Sequence, residues 1–137
     1  MKMKKASVVL FTLIMSLNLS AQNLLGYKLN DIKIYMKENQ KSMVFQGLTF
    51  NNTFKYAKFA DKDGNQTTLF FLTADSACKG IRMICDKSIE PAMIKDLDSR
   101  YKKEGASTWT EDKGGTIYII ELREEEWSFN VTISKKD

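Results

Sequence analysis

The sequence EWSFNVTI at residues 126–133 decides the fold class, because its apolar and polar residues alternate without interruption. Successive side chains of a β-strand point to opposite faces, so Trp127, Phe129, Val131 and Ile133 share one face. This pattern is typical of an antiparallel sheet with one face against a core and the other in water. We therefore predict that Trp127 opens a buried apolar row.

Five segments upstream show the same period of two and predict further strands. They are residues 54–59, 67–72, 81–85, 107–110 and 116–122. The first two flank DKDGN at residues 61–65, which is a hairpin-loop sequence, and the last two flank a turn that contains Gly114 and Gly115.

Two segments have helical spacing instead, residues 28–40 and residues 89–104. The first repeats apolar residues at steps of three and four, and the second carries Pro91 in its first turn and ends before Gly105. The predicted order is α-β-β-β-α-β-β-β. We predict an α+β domain in which antiparallel sheets carry both helices packed on one face.

Residues 26–36 (GYKLNDIKIYM) carry a resemblance to known domains. They resemble the opening of small bacterial envelope domains of the BamE / β-lactamase-inhibitor-protein type, where a glycine precedes a short helix and antiparallel strands follow. The resemblance implies protein–protein contact in the periplasm without catalysis. This chain departs from that pattern by placing a helix between two groups of strands, and the resemblance transfers no functional residue.

The first 21 residues have the three parts of a signal peptide: a basic start (MKMKK), an apolar stretch at residues 6–15 and small residues up to Ala21. We predict cleavage between Ala21 and Gln22. The apolar stretch is shorter than the roughly 20 residues of a transmembrane helix. The prediction is a signal peptide at 1–21 and a single domain at 22–137, exported to the periplasm or the medium, with no stable membrane insertion after cleavage.

Charge and histidine content restrict the classes of function. The formal net charge of +4 falls to +1 when Lys2, Lys4 and Lys5 leave with the signal peptide, so we do not expect nucleic acid as a partner. The chain has no histidine, which removes Ser–His and Cys–His nucleophile pairs. We also expect no cofactor. We expect no metal site, because the loop at 61–65 lacks the glycine and glutamate spacing of a calcium loop.

Cys78 and Cys85 are the two cysteines of an exported chain, a setting that permits disulfides. In one strand, seven residues span about 23 Å, whereas bridged Cα atoms lie within about 7 Å. We expect two free thiols, which would lie on opposite sheet faces if the strand is regular; the alternatives are an internal bridge across a loop or bulge at 77–80, an intermolecular bridge or a redox role. Ser76, in Asp75-Ser76-Ala77, is a candidate O-glycosylation site.

Four residues are candidates for binding. Trp109 lies in a short, threonine-rich strand and is the aromatic residue that we expect at the surface, with Tyr118 nearby. Lys55 and Tyr56 interleave a cation with an aromatic ring, although half-buried strands also produce this mixture.

Three functions remain open at this point. We favour an exported binding or interaction domain that holds another envelope protein, a peptide or a glycan. A histidine-independent hydrolase would instead use carboxylates such as Glu121 or Glu126 and needs a concave pocket that encloses two acids. An oxidative role for a thiol needs Cys78 or Cys85 to be exposed.

Overall fold

The computed structural model describes residues 23–137, and the predicted signal peptide lies outside them. These residues include two α-helices, α1 at Leu29–Asn39 and α2 at Glu90–Arg100, with a 3-10 turn at Lys87–Ile89 directly before α2. The strands are β1 Met43–Phe50, β2 Lys55–Asp61, β3 Gln66–Leu72, β4 Cys78–Asp86, β5 Lys102–Lys103, β6 Thr108–Lys113, β7 Thr116–Glu124 and β8 Ser128–Lys135.

All eight strands form one antiparallel sheet in the order β1-β2-β3-β4-β8-β7-β6-β5. Each half of the chain contributes a helix followed by a four-stranded meander. The halves join at the centre of the sheet, where β4 pairs with β8 and Met83 faces Val131. This arrangement leaves β1 and β5 at the two edges.

The predicted order α-β-β-β-α-β-β-β and its α+β packing are wrong. Residues 23–137 form mainly an eight-stranded antiparallel sheet with two short helices, and four strands follow each helix. The prediction missed β1 because a bulge between Phe45 and Gly47 interrupts its period of two. It missed β5 because α2 ends at Arg100 and the backbone of Tyr101 is extended, so Lys102–Lys103 pairs with β6 instead of continuing the helix.

The core is built from the inward row of the sheet and one side of each helix. Glu124, opposite Phe129, is exposed, but the five other cross-strand partners of Phe129, Val131 and Ile133 are buried, as are these three residues of β8. Those partners are Cys85, Met83 and Ile81 on β4, and Leu122 and Ile120 on β7. Helix α1 adds Ile32 and Met36 to the same hydrophobic cluster, and α2 adds Met93 and Leu97. Burying such a side chain stabilises the fold by about 1.5–3 kcal/mol.

Trp127 does not belong to this core, contrary to the prediction. Its side chain is 83% exposed, because β8 begins only at Ser128 and Trp127 lies in the turn after β7. The backbone N–H of Glu125 donates to the carbonyl of Ser128 and closes this turn. The apolar alternation in the sequence therefore includes Trp127, one residue before the start of β8.

Within residues 23–137, neither helix has the length and apolar character that crossing a membrane requires.

Candidate functional site: the β1 edge

The two edges of the sheet differ in length and charge. Strand β5 is two residues long and both are lysines, which are the features that protect an edge against pairing with another chain. Strand β1 is eight residues long, MVFQGLTF, and carries no charge. It pairs with β2 on one side, and no other strand of the described residues pairs with its second side. Its outward N–H and C=O groups therefore form an open edge.

Side chains of β1 are exposed over most of its length. Phe45 faces Phe59 and Leu48 faces Ala57, so both lie on the core side of the sheet. Leu48 is nevertheless 39% exposed and Phe50 is 70% exposed. The core side of β1 is thus an apolar surface that the helices leave uncovered at its carboxyl-terminal end.

The bulge in β1 sets which side chains reach this surface. Register shifts between Phe45 and Gly47, so Gln46 is the extra residue and the alternation restarts beyond it. Gly47 has a φ of +113°, a conformation that other residues rarely adopt. The shift places Leu48 and Phe50 on the same face as Phe45.

A surface cavity of about 410 Å³ lies beside this end of β1. Its apolar wall includes Leu48, Phe50 and Leu72. Lys55 and Lys79 also line it, and its lining contains no aspartate or glutamate. The cavity therefore combines apolar surface with positive charge.

Several cations surround β1. The ammonium group of Lys33, on α1, lies 4.4 Å from the ring centroid of Phe45. Lys55 Nζ donates to Ser76 Oγ at 2.6 Å. Lys58 faces Gly47 across the β1–β2 pair. Among the described residues, no carboxylate forms an ion pair with these lysines or with Lys79.

An aromatic cluster occupies the opposite face of the neighbouring strands. Tyr56 and Phe54 stack with centroids 5.7 Å apart, and Phe71 meets Tyr56 edge-on at 5.7 Å. The guanidinium of Arg82 lies 5.8 Å from the centroid of Phe71. Because Tyr56 and Phe71 are only half-exposed and contact each other, this cluster mainly stabilises β2 against β3.

The structure brings two of the four predicted binding residues, Lys55 and Tyr56, to the strand beside β1. The other two lie in the carboxyl-terminal half. Tyr118 is half-buried and packs against the core. Trp109 is only 1% exposed, faces Ile120 and donates from Nε1 to Asp98 Oδ1 at 2.8 Å, so the expectation of a surface role for Trp109 is wrong.

Ser76, the candidate modification site, lies in the turn between β3 and β4 with a φ of +66°. Its hydroxyl accepts the hydrogen bond from Lys55, and it is half-buried. Hydrogen bonds from Lys28 and Thr73 to Asp75 lower the pKa of that carboxyl group to about 2. The turn is thus held by polar contacts, and glycosylation of Ser76 stays a prediction.

Both cysteines are free and buried. Burial raises the pKa of Cys78 to about 11 and that of Cys85 to about 12. Neutral, buried thiols are poor nucleophiles, so the structure removes the oxidative role that required an exposed thiol.

The carboxylates of the hydrolase hypothesis are not brought together in a cleft. Glu121 is exposed in the middle of β7, opposite Thr132, whereas Glu126 is exposed in the β7–β8 turn. Glu90 and Glu124 do interact, and a hydrogen bond with Glu124 raises the pKa of the solvent-facing Glu90. Among residues 23–137, no group of three metal-ligating side chains is present.

A second surface depression, of about 610 Å³, lies on β5–β7. Its charges include Lys102 and Glu104, whose side chains are 3.6 Å apart, together with Asp112 and Lys136. Because charges of both signs line it, the depression shows no preference for a charged ligand. The β1 edge is therefore the stronger candidate.

The sequence contains one signal for the β1 edge that does not depend on periodicity. Between Lys41 and Lys55 the chain has no charged residue, although it includes Val44, Leu48 and Phe50, all exposed in the structure. An uncharged run of this length indicates a strand without the charged side chains that usually protect an edge.

No family model, no curated protein and no solved structure matches this chain.

Proposed function

We propose that this chain is a non-catalytic, exported binding domain whose β1 edge takes up an extended segment of another polypeptide. The observation that carries the proposal is the eight-residue, uncharged edge of β1, whose outer side pairs with no strand of residues 23–137, at the opposite end of the sheet from the short, lysine-containing β5. Export rests on the signal-peptide pattern of residues 1–21.

Binding at an open edge uses the chemistry of the sheet itself. An added strand pairs its backbone with the outward N–H and C=O groups of β1, and its side chains contact pockets on either face. The surface cavity beside Leu48 and Phe50, called the groove from here on, offers such a pocket. Because β1 is already ordered by β2, the protein loses little conformational entropy when the partner binds.

A polypeptide fits this surface better than a glycan. Backbone groups of an edge recognise another backbone, whereas a glycan requires aromatic rings with open faces. Near β1, the rings of Tyr56 and Phe71 are covered in part by each other. The resemblance of residues 26–36 to small envelope domains also implies a protein partner, and the proposal keeps that class.

The test selects peptides from a random library and compares how tightly two variants of the chain bind them. The chain is produced from Met1 in a bacterial host and purified, and peptides that it enriches are measured for affinity. Phe50→Ser removes an apolar ring from the groove, while Trp127→Ser makes the same change at another exposed aromatic residue. We expect Phe50→Ser to weaken binding of the enriched peptides by about tenfold or more and Trp127→Ser to leave their binding unchanged.

Hydrogen exchange locates the bound peptide independently of affinity. We expect bound peptide to slow the hydrogen exchange of backbone amides in β1, because the added strand forms hydrogen bonds with N–H groups that otherwise face water. Enriched peptides that bind both variants equally and leave β1 exchange unchanged would contradict the proposal. So would binding to a glycan array, abolished by Tyr56→Ala, in a protein that enriches no peptide.

A further inference from the structure

We infer that the segment taken up at β1 is acidic and carries an apolar residue at every second position. This inference rests on the proposed function and names the chemistry of its partner. It follows from the different surroundings that β1 gives to the two faces of an added strand.

One face of an added strand would lie over apolar surface. Successive residues of a strand alternate between faces, so every second side chain of the partner falls on the core side of the sheet. There it meets Phe45, Leu48 and Phe50, and the apolar wall of the groove. Apolar side chains at these positions would remove exposed hydrophobic surface from water.

The other face of the added strand would lie beside a cation. On that face β1 presents Val44, Gly47 and Thr49, and Lys58 faces Gly47 from β2. A Cβ atom placed on Gly47 would have no neighbour within 4 Å, so the glycine leaves open space in front of Lys58. The added strand would lie two strand spacings, roughly 9.6 Å, from β2, a distance that an extended lysine side chain and an extended glutamate side chain can cross together.

Positive charge is in excess in the half of the domain that contains β1. Residues 23–86 contain nine basic and six acidic residues, whereas residues 87–137 contain nine basic and eleven acidic residues. Lys55 and Lys79 line the groove without an ion pair from any described carboxylate. Complementary charge on the partner would speed association and select the register of the added strand.

A second copy of this chain does not supply that chemistry. Strand β1 has no carboxylate, so pairing of two β1 edges leaves the lysines without partners and brings Lys58 of each copy towards the other. Pairing of β1 with the β5 edge of another copy would add Lys102 and Lys103 to the same positive region. Neither β1 nor β5 supplies a carboxylate to these lysines, so charge complementarity favours neither arrangement.

The test uses three synthetic peptides with capped ends and equal length. One alternates valine and glutamate, one alternates valine and lysine, and one contains the residues of the first in separate blocks of valine and glutamate. We expect the alternating glutamate peptide to bind about tenfold or more tightly than either of the others, with affinity falling as salt is added.

Charge reversal assigns the effect to Lys58. Lys58→Glu should lower the affinity for the alternating glutamate peptide by about tenfold, because it replaces an attraction by a repulsion. The same variant should raise the affinity for the lysine peptide. Lys95→Glu is the matched control, because Lys95 is exposed on α2 and the net charge changes equally. Circular dichroism confirms that both variants keep the fold.

Each outcome separates the inference from the function beneath it. If library-selected peptides protect β1 amides but glutamate and lysine peptides bind equally, the edge binds polypeptide and the acidic inference is overturned. If the glutamate peptide binds without protecting β1 and Lys58→Glu has no effect, both are overturned. A dimer in sedimentation, abolished by Phe50→Ser, would assign the edge to a second copy and overturn the inference.

Discussion

Cys78 and Cys85 lie on the same, core-facing side of β4, although seven positions separate them. Phe71 pairs with Gly80 and the next residue, Leu72, pairs with Cys78, so Lys79 is an extra residue on β4. The bulge shifts the alternation by one and turns both thiols inward, where Cys78 is 4% and Cys85 is 1% exposed. The expectation of opposite faces applied only to a regular strand.

The thiols should resist modification in the folded protein. We expect a water-soluble thiol reagent to leave Cys78 and Cys85 unmodified under native conditions and to modify both after unfolding in urea, because both are buried. Intact mass with and without reductant measures this. A loss of two hydrogens, or rapid labelling of the native protein, would contradict the structure.

Stability should fall at alkaline pH. The folded-state pKa values of about 11 and about 12 lie above the unfolded value of 9.0, so the folded state holds these protons more tightly. Their contribution is present below pH 9 and is lost as the pH rises towards the folded-state values. Urea unfolding at a series of alkaline pH values should show a smaller loss for Cys85→Ala than for the natural chain.

The two tryptophans should differ sharply in their effect on stability. Trp109→Ala should lower the free energy of unfolding by about 3–5 kcal/mol, because it opens a cavity in the core and removes the hydrogen bond to Asp98. Trp127→Ala should change it by less than about 0.5 kcal/mol, since this side chain is exposed. Equal effects in urea unfolding would argue against this placement.

The bulge glycine should be costly to replace. Gly47→Ala should destabilise the fold by about 1–3 kcal/mol through its backbone conformation alone, because the added Cβ contacts nothing. Gly105→Ala also adds a Cβ in open space, but without a positive φ, and should be nearly neutral. The midpoints of urea unfolding for the two variants test the difference.

The signal-peptide pattern predicts a processed protein. After expression from Met1 and export, we expect the intact mass of residues 22–137. Replacing Ala21 with a bulky residue, as in Ala21→Trp, should block cleavage and retain the longer chain. An exported protein that keeps residues 1–21 would contradict the prediction.

Periodicity identified most elements because each obeyed a local rule. Helix α1 lies within the predicted 28–40, and the strands predicted at 67–72 and 116–122 correspond to β3 and β7. The failures occur where the local rule stops. At Gln46 and Lys79 one extra residue shifts the alternation. At Trp127 the alternation begins before the first paired residue of β8.

The binding residues were harder to predict because exposure depends on what covers a side chain. Trp109 is buried because β6 pairs with β7 and opposes Ile120. Phe50 is exposed because β1 is an edge and no described strand lies beyond it. Neither neighbour is visible from local spacing.

The sequence by itself determined the antiparallel strands, the two short helices, the absence of histidine chemistry and the expectation of export. Those properties depend on composition and on patterns a few residues long. Tertiary structure alone decided that the two meanders join into one sheet at β4 and β8, and therefore that β1 is an open edge with Lys58 beside it. An edge is defined by the strand that is missing next to it, and strand order arises from long-range pairing that no local pattern specifies.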